Sequence, residues 1–514
     1  MESPAPSSTA EAKLSDDDIR ACIRVLRAIE ADRSHLTRMT QEERRELLTL
    51  AGLVAKPERH NLVQMAKAFR RAEREAAKER DRKVIERTGL RIQRQAEIYT
   101  PLWLEPPKPE DPNERPELQQ ERSCYVCKQP FAKMHRYYDS MCATCGDFNY
   151  AKREQTADLS GHYALITGAR VKIGFQASLK LLRAGAHVIV TTRFPIDAAD
   201  RYSREPDFAN FRERLQIHGL DLRHTPSVEL FTRFLFERLP RLDYILNNAC
   251  QTVRRPAGFF QHLLSREAES LVRLPPLLRD TLASHHELRQ MIEGSLHHDA
   301  GALLTTDARG HGEGLMHSAA LSQRRYLDED FRDGDTLFPS GHYDEDRQQV
   351  DLREVNTWRL RLHEVETPEL LEVHLVNAIA PYILNARLKP LMVRTPGSHK
   401  HIVNVSAMEG QFYRTTKTDK HPHTNMAKAA LNMMTRTSAP DFVKDGIHMN
   451  AVDTGWVTDE DPAVHAVRKA EAGFSPPLDI IDGAARIVDP IFVGRLTGGH
   501  PWGQFLKDYK PAPW

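Results

Sequence analysis

The chain has 514 residues, of which 28% are charged and 40% hydrophobic, with a formal net charge of only +1 at neutral pH. That length exceeds one ordinary domain, and the near-zero balance excludes a global electrostatic argument for nucleic acid or membrane. No apolar run nears the roughly 20 residues of a membrane span, and the polar start MESPAPSSTA lacks a signal-peptide core, so a soluble cytoplasmic protein of two or three units is expected.

Residues 1–104 read as an α-helical region. The Pro/Ser/Ala-rich stretch Met1 to Ala10 is expected to be disordered. Beyond it, Ser15 with Asp18 and Thr40 with Glu43 have the spacing of capping boxes. Ile19, Cys22, Ile23, Leu26 and Ile29 share one helical face, which assigns Cys22 to a core. A longer helix is predicted from about Asn61 toward Ile98, with Leu62, Met65, Phe69, Ala72 and Ala76 as its apolar stripe. Its other face carries Arg70, Arg71, Arg74, Lys78, Arg80, Arg82, Lys83 and Arg87, interleaved with Glu73, Glu75, Glu79 and Glu86. A solvated, salt-bridged face explains that pattern; nucleic-acid binding through the basic helix is the weaker alternative.

The proline-rich charged stretch 105–121 reads as a linker, and 122–155 as a small module. There Cys124, Cys127, Cys142 and Cys145 form two C-x-x-C pairs separated by a spacer of about fourteen residues. The spacing suits one tetrahedral four-thiolate site for which zinc is expected, and a full shell leaves no open position, so the site is read as structural. His135 is assigned to the surface or to a place behind the ligands. The knuckle Cys142-Ala143-Thr144-Cys145-Gly146 resembles a zinc-ribbon or rubredoxin turn.

From 156 to 514 the pattern is α/β. An apolar run, Tyr163 to Ile166, meets a turn at Thr167-Gly168, then an amphipathic segment with Ile173, Ala177, Leu179, Leu181 and Leu182, then a second run, Val188 to Val190. Strand, turn, helix and strand make a βαβ unit, whose first turn can hold a pyrophosphate on the outward-pointing amides of the helix start. The segment Thr167 to Gly174 resembles the T-G-x-x-x-G-I-G turn of the short-chain dehydrogenase/reductase superfamily, with Lys172 in place of the middle glycine. Gly219 to Leu222, Leu242 to Cys250, Val373 to Met392, His401 to Ser406, Asn425 to Ala439, Gly446 to Val452 and Asp453 to Thr458 are similar to successive elements of that family, with Cys250 replacing a glycine and Thr454 a proline. The resemblance covers roughly Ser160 to Cys250 and Leu370 to the C-terminus. Between them lies an insertion, 251–364, far beyond ordinary loop lengths.

This resemblance implies a Rossmann-type doubly wound parallel sheet, preceded by the α-helical region and the zinc-ribbon-like module. It also implies an NAD(P)-dependent oxidoreductase that transfers hydride between cofactor and a small carbonyl or alcohol. The implied cofactor contacts are Gly168, Arg170, Lys172, Ile173, Gly174, Asp221, Leu222, Asn248, Ala249, Lys428, Gly455 and Val457. The second strand ends Thr191-Thr192-Arg193, with no acid for a ribose 2′-hydroxyl and an arginine that can meet a 2′-phosphate, so NADP is favoured over NAD.

On the same resemblance, Asn377 holds a water of the proton relay, Ser406 bonds the substrate carbonyl and Lys428 holds the nicotinamide ribose. The family's tyrosine, four residues before the lysine, is replaced by Thr424, read as a helix N-cap. Tyr413, in the long loop from Gln411 to His423, is the first candidate for a relocated proton donor and His423 the second; the sequence does not choose between them. A non-catalytic NADP-binding sensor or scaffold is the alternative, motivated by the missing tyrosine, and a homo-oligomer is compatible with either reading.

In the insertion, helical pieces are predicted at Ala268 to Leu274 and Leu288 to Ile292. His285, His286, His297, His298, His311 and His317 match no compact metal site. Leaving the sheet at a strand's carboxyl end, the insertion either overhangs the substrate side or is a disordered loop.

Overall fold

A computed structural model describes residues 14–95, 115–269, 273–295, 308–332, 334–344, 348–413, 417–458 and 460–514. The chain separates into two units, Met1–Arg80 and Asp81–Trp514. The expected disordered start, most of the linker, His297, His298 and the side chain of His311 lie outside the described residues.

In the first unit both capping boxes form. Ser15 Oγ accepts from the Asp18 N–H at 3.2 Å while the Asp18 carboxylate accepts from the Ser15 N–H at 3.0 Å, and Thr40 with Glu43 repeats the exchange. They start the helices Asp16–Ala31 and Gln41–Ala55. The apolar stripe of the first helix closes no core: Ile19 and Ile23 are nearly half exposed, and Cys22 is exposed, against the expectation that it is a core residue. Periodicity specifies a face, not a partner for it.

The long helix runs Arg59–Glu86 and is followed by a separate helix, Gly89–Gln95, instead of continuing toward Ile98. The break has a local cause. The Gly89 and Leu90 N–H groups donate to the carbonyls of Arg136 and Tyr137, and a Cβ at Gly89 would stand 2.6 Å from the Tyr137 ring. On the charged face, Lys78 pairs with Glu75 and Arg82 with Glu86, as a solvated helix side requires. Among the described residues no helix is long and apolar enough to cross a membrane.

The second unit opens on an antiparallel pair, β1 (Glu117–Ser123) and β2 (Pro130–Lys133), so the last residues of the expected linker are strand. An eight-stranded sheet follows, built from β3 (Tyr163–Thr167), β4 (His187–Thr192), β5 (Leu215–Gly219), β6 (Tyr244–Asn247), β7 (Lys400–Ser406), β8 (Ile447–Asp453), β9 (Phe505–Lys507) and β10 (Lys510–Ala512). Its order is β10-β9-β8-β7-β6-β3-β4-β5, parallel except at β10. Ile166 of β3 pairs with Val190 of β4 on one side and Leu246 of β6 on the other. The direction of winding reverses there, which opens a crevice at the carboxyl ends of these strands. Helices on both faces leave β7 and β8 wholly buried, so their polar members, Asn404 and Asn450 among them, are buried as well as their apolar ones. Asn247 donates to Asn404 at 2.8 Å and to Asn385 at 2.9 Å, tying β6 to its neighbour.

The described part of the insertion is ordered. Its first helix, Gln261–Glu267, ends where the sequence predicts one to begin at Ala268, whereas Leu288 to Ile292 fall inside the helix Pro276–Ser295. That longer helix packs along β5, the edge strand, with Leu278 and Leu282 in the core cluster that holds Phe208 and Phe211, and Leu288 and Ile292 in the one that holds Phe231. An exposed strand edge is a template for unwanted pairing, and here a helix covers it.

Candidate active site and cysteine centre

At the end of β3 the chain turns through Gly168, φ 66°, and Lys172, φ 56°. The left-handed region is open to glycine at no steric cost and is strained for a side-chain-bearing residue, which accounts for a glycine at the Lys172 position in the resembling motif. The turn is packed against β6: a Cβ on Gly174 would lie 2.4 Å from Asn248 Nδ2, and one on Gly168 2.8 Å from Ala249 Cα. Asn248 Nδ2 donates to the carbonyls of Thr167 and Gly168, both at 3.1 Å, and the Ala249 N–H donates to Thr167 Oγ1 at 3.0 Å. The resulting crevice has a volume of about 380 Å³. It brings together Gly168, Arg170, Lys172, Ile173, Gly174, Arg193, Asp221, Leu222, Asn248 and Ala249, whereas Lys428, Gly455 and Val457 do not line it.

The arginines of this crevice differ in their partners. Arg170 pairs with Asp197 at 2.6 Å, and Arg223 with Asp221 at 2.6 Å and Glu372 at 2.8 Å. Burial opposes ionisation of Asp221, yet Arg223 and Arg193 hold its carboxyl below the usual carboxylate range. Among the described residues Arg193 forms no ion pair. Its guanidinium lies 5.6 Å from the Phe194 ring centre and 4.7 Å from that of Phe260, and burial together with nearby Arg223 pushes its pKa down to about 10.

Arg254, Arg255, Phe259 and Phe260 of the insertion line the same crevice, so the insertion walls it on the Arg193 side. Sequence reading missed these residues, although the Arg-Arg and Phe-Phe doublets directly after the β6 motif are a signal that they stay near it.

The expected catalytic residues are only partly brought together. Asn377 stands in a π-helical turn, Leu375–Ile379, a bulge of the kind found at functional sites; its Oδ1 accepts from the Gln251 N–H at 2.8 Å and its Nδ2 donates to the Gln251 carbonyl at 3.2 Å. Ser406 is buried and its hydroxyl donates to Asn432 Oδ1 at 2.6 Å, so it is committed to the neighbouring helix. Lys428 Nζ donates to the Val405 carbonyl at 2.7 Å.

Thr424 is not the N-cap of that helix, Pro422–Phe442. His421 holds the cap position at φ 42°, and Thr424 is the third helical residue, with a buried Oγ1 that has no hydrogen-bond partner among the described residues. Tyr413 is 82% exposed, whereas Lys428 is buried. The loop that carries it is pinned farther on: the His421 N–H donates to the Leu360 carbonyl and the His421 ring stacks on Trp358 at 3.8 Å. Phe412 and Tyr413 are left facing water. His423, in contrast, is buried with Nε2 3.5 Å from Glu369 Oε1, and neither of its ring nitrogens makes a hydrogen bond among the described residues.

Two family models match the segments that build this crevice: short chain dehydrogenase over residues 162–274 and enoyl-(acyl carrier protein) reductase over residues 355–473. The chain belongs to the short-chain dehydrogenase/reductase superfamily. An uncharacterized protein of Acanthamoeba polyphaga mimivirus is 29% identical over 403 residues, 75% of this chain and 74% of its own length. The (+)-neomenthol dehydrogenase of Capsicum annuum is 30% identical over 93 residues, 18% of this chain and 29% of that enzyme. Among solved structures, a Pseudomonas aeruginosa RhlG/NADP complex aligns with a TM-score of 0.41 at 16% identity, over 68% of this chain and 95% of that one.

To the superfamily fold this chain adds a cysteine centre. The four Sγ atoms of Cys124, Cys127, Cys142 and Cys145 lie within 4.8 Å of one another, the one such group of potential metal ligands among the described residues. Zinc–sulfur bonds of about 2.3 Å in a tetrahedron separate the sulfurs by about 3.8 Å, and Cys127 and Cys142 stand 3.9 Å apart. The donor set therefore fits zinc. The Gln129 N–H, pointing at Cys127, brings its thiol pKa down to about 7, whereas burial pushes the Cys142 and Cys145 thiols up.

His135 is not a ligand, and it is buried, not at the surface. Its Nδ1 accepts from the Tyr137 N–H at 3.1 Å, burial drives its pKa down to about 4, and a Cβ at Gly146 would collide with it.

Nor is the module a separate bead. Leu118, Met134, Tyr138 and Met141 share one core with Val457, Leu478 and Ile481 of the dinucleotide-binding region. Arg153 reaches Asp479 at 2.6 Å, and the hydroxyls of Tyr137 and Tyr138 donate to Asp479 at 2.8 Å and Asp482 at 2.5 Å.

Proposed function

We propose that this chain is an NADP(H)-dependent oxidoreductase acting on a small carbonyl or alcohol. The observation that carries the reading is Arg193, a part-buried cation just past β4 that forms no ion pair among the described residues, at the crevice where the strand order reverses. A ribose 2′-phosphate would supply the missing anion through charge-assisted hydrogen bonds. When bound, the cofactor supplies or takes the hydride. The chain's own residues hold it and move the proton.

Lys428 occupies the family's ribose-holding position, and its ammonium is fixed on the Val405 carbonyl. We assign proton transfer to His423, which precedes Thr424 in the same helix and has Glu369 beside it, because an imidazole can donate a proton at neutral pH. The four thiolates are assigned one structural zinc.

Parallel titrations with NADPH and NADH test the cofactor assignment; tighter binding of NADH overturns it. A non-catalytic NADP-binding sensor or scaffold is the second reading, favoured by the commitment of the Ser406 hydroxyl to Asn432. NADPH that binds yet is not oxidised with any of a broad panel of aldehydes and ketones would select it.

A further inference from the structure

Tyr125 lies inside the first C-x-x-C turn, one residue after Cys124 and two before Cys127. Its hydroxyl accepts a hydrogen bond from the Trp456 N–H at 2.9 Å. Trp456 belongs to the loop that follows β8, and Thr458 of that loop lines the crevice. The path of this loop leaves no slack: Gly455 has φ 77°, and a Cβ there would lie 3.1 Å from the Tyr125 hydroxyl and 2.4 Å from Leu478. Val457 is buried in the core that contains Cys124 and Met141.

Tyr125 is itself fixed from behind. Its N–H donates to the Ser140 carbonyl at 2.8 Å, and Lys507, paired with Asp453 at 3.3 Å, lies 5.9 Å from its ring centre. An ion that fixes the Cys124 and Cys127 sulfurs therefore also fixes the backbone from which the phenol reaches the loop.

We propose that Tyr125 is a positioning residue through which metal occupancy of the cysteine centre sets the affinity of the crevice for NADP(H), an inference that rests on the cofactor reading above. Without the ion the turn between the two cysteines loses its constraint, the phenol no longer holds the Trp456 N–H, and the loop after β8 samples positions that do not receive the cofactor. Such coupling is reciprocal: the factor by which zinc strengthens NADPH binding equals the factor by which NADPH strengthens zinc binding. A purely structural site with no link to the crevice has a factor of one.

The test uses the full chain loaded with zinc. NADPH affinity is read from its fluorescence, zinc affinity by competition with a chelator in the presence and absence of saturating NADPH, and the folded state by circular dichroism. Zinc removal is expected to weaken NADPH binding by about tenfold, with the same factor appearing in zinc affinity. Tyr125→Phe keeps the ring and loses the acceptor. It should retain one zinc per chain and its melting temperature, yet lose about fivefold in NADPH affinity. If the zinc-free chain unfolds, the Tyr125→Phe comparison decides alone. Unchanged NADPH affinity in folded, zinc-loaded Tyr125→Phe overturns the inference and leaves the cofactor reading standing; absence of NADPH binding by the zinc-loaded natural protein overturns both.

Discussion

Arg193 places its guanidinium 4.7 Å from the ring centre of Phe260, so the end of β4 and the insertion build one wall of the crevice together. Arg193→Ala removes a charge that only an anionic ligand would complete. It should weaken NADPH binding by about 10- to 100-fold, the range for losing hydrogen bonds to a charged group, with NADH binding changed far less. Phe260→Ala should weaken both cofactors alike, since it removes wall and not charge. Calorimetric titration of the two variants with the two cofactors checks this, and an unchanged NADPH preference in Arg193→Ala would contradict the assignment.

The proton donor is separable from cofactor binding. Tyr413 is 82% exposed, and Tyr413→Phe should leave turnover unchanged. His423→Gln should lower kcat by at least about 10²-fold, the lower end of what a positioned general acid contributes, with NADPH affinity retained. Lys428→Ala should damage both. Equal turnover in His423→Gln and the natural protein would remove His423 from the mechanism.

How much of this was legible before the fold is clearest at particular residues. The apolar runs of β3 and β4 and the turn between them follow from period and glycine alone, because a strand buried on both faces favours a short continuous apolar run. Tyr413 offers the right chemistry, a phenol in the long loop before Lys428, but exposure is decided by where the loop is pinned, at Leu360 and Trp358, and no local pattern records that. Ser406 was placed by its motif, whereas its engagement depends on Asn432, one helical turn beyond Lys428. The cysteine spacing announced a centre. Its union with the sheet runs through Arg153 and Asp479, far apart in sequence, and was invisible.

The metal assignment makes a stability prediction as well as a binding one. Elemental analysis should find one zinc per chain, and Cys142→Ser should lose it. Because the module's core includes Val457, Leu478 and Ile481, metal loss should lower the melting temperature of the second unit as a whole and not only loosen the cysteine turns. Thermal unfolding followed in the near-ultraviolet, with and without chelator, reads this directly. Full stability in a metal-free Cys142→Ser chain, or stoichiometric iron in the natural one, would reject the assignment.

The last prediction concerns acid. His218, on β5, is fully buried, its ring stands 5.2 Å from that of Phe231, 5.9 Å from that of Phe234 and 6.0 Å from that of His285, and neither of its nitrogens has a hydrogen-bond partner among the described residues. Burial pushes its pKa down from 6.5 to about 3. A group with a lower pKa folded than unfolded is protonated first in the unfolded chain. Its stabilising balance is therefore complete above about pH 6.5 and is lost as pH falls toward about 3, by an amount on the order of several kcal/mol. His218→Phe fills the same space among aromatic neighbours and removes two unsatisfied nitrogens. It should raise stability at pH 7 by about 1–3 kcal/mol, the cost of leaving a buried polar group unpaired, and flatten the fall between pH 6.5 and 4. The fall will not vanish, because burial also depresses the pKa values of His285 and His401. Urea unfolding of both proteins at pH 7.5 and pH 5 measures the two slopes, and identical slopes would show that His218 takes up its proton without cost to the fold.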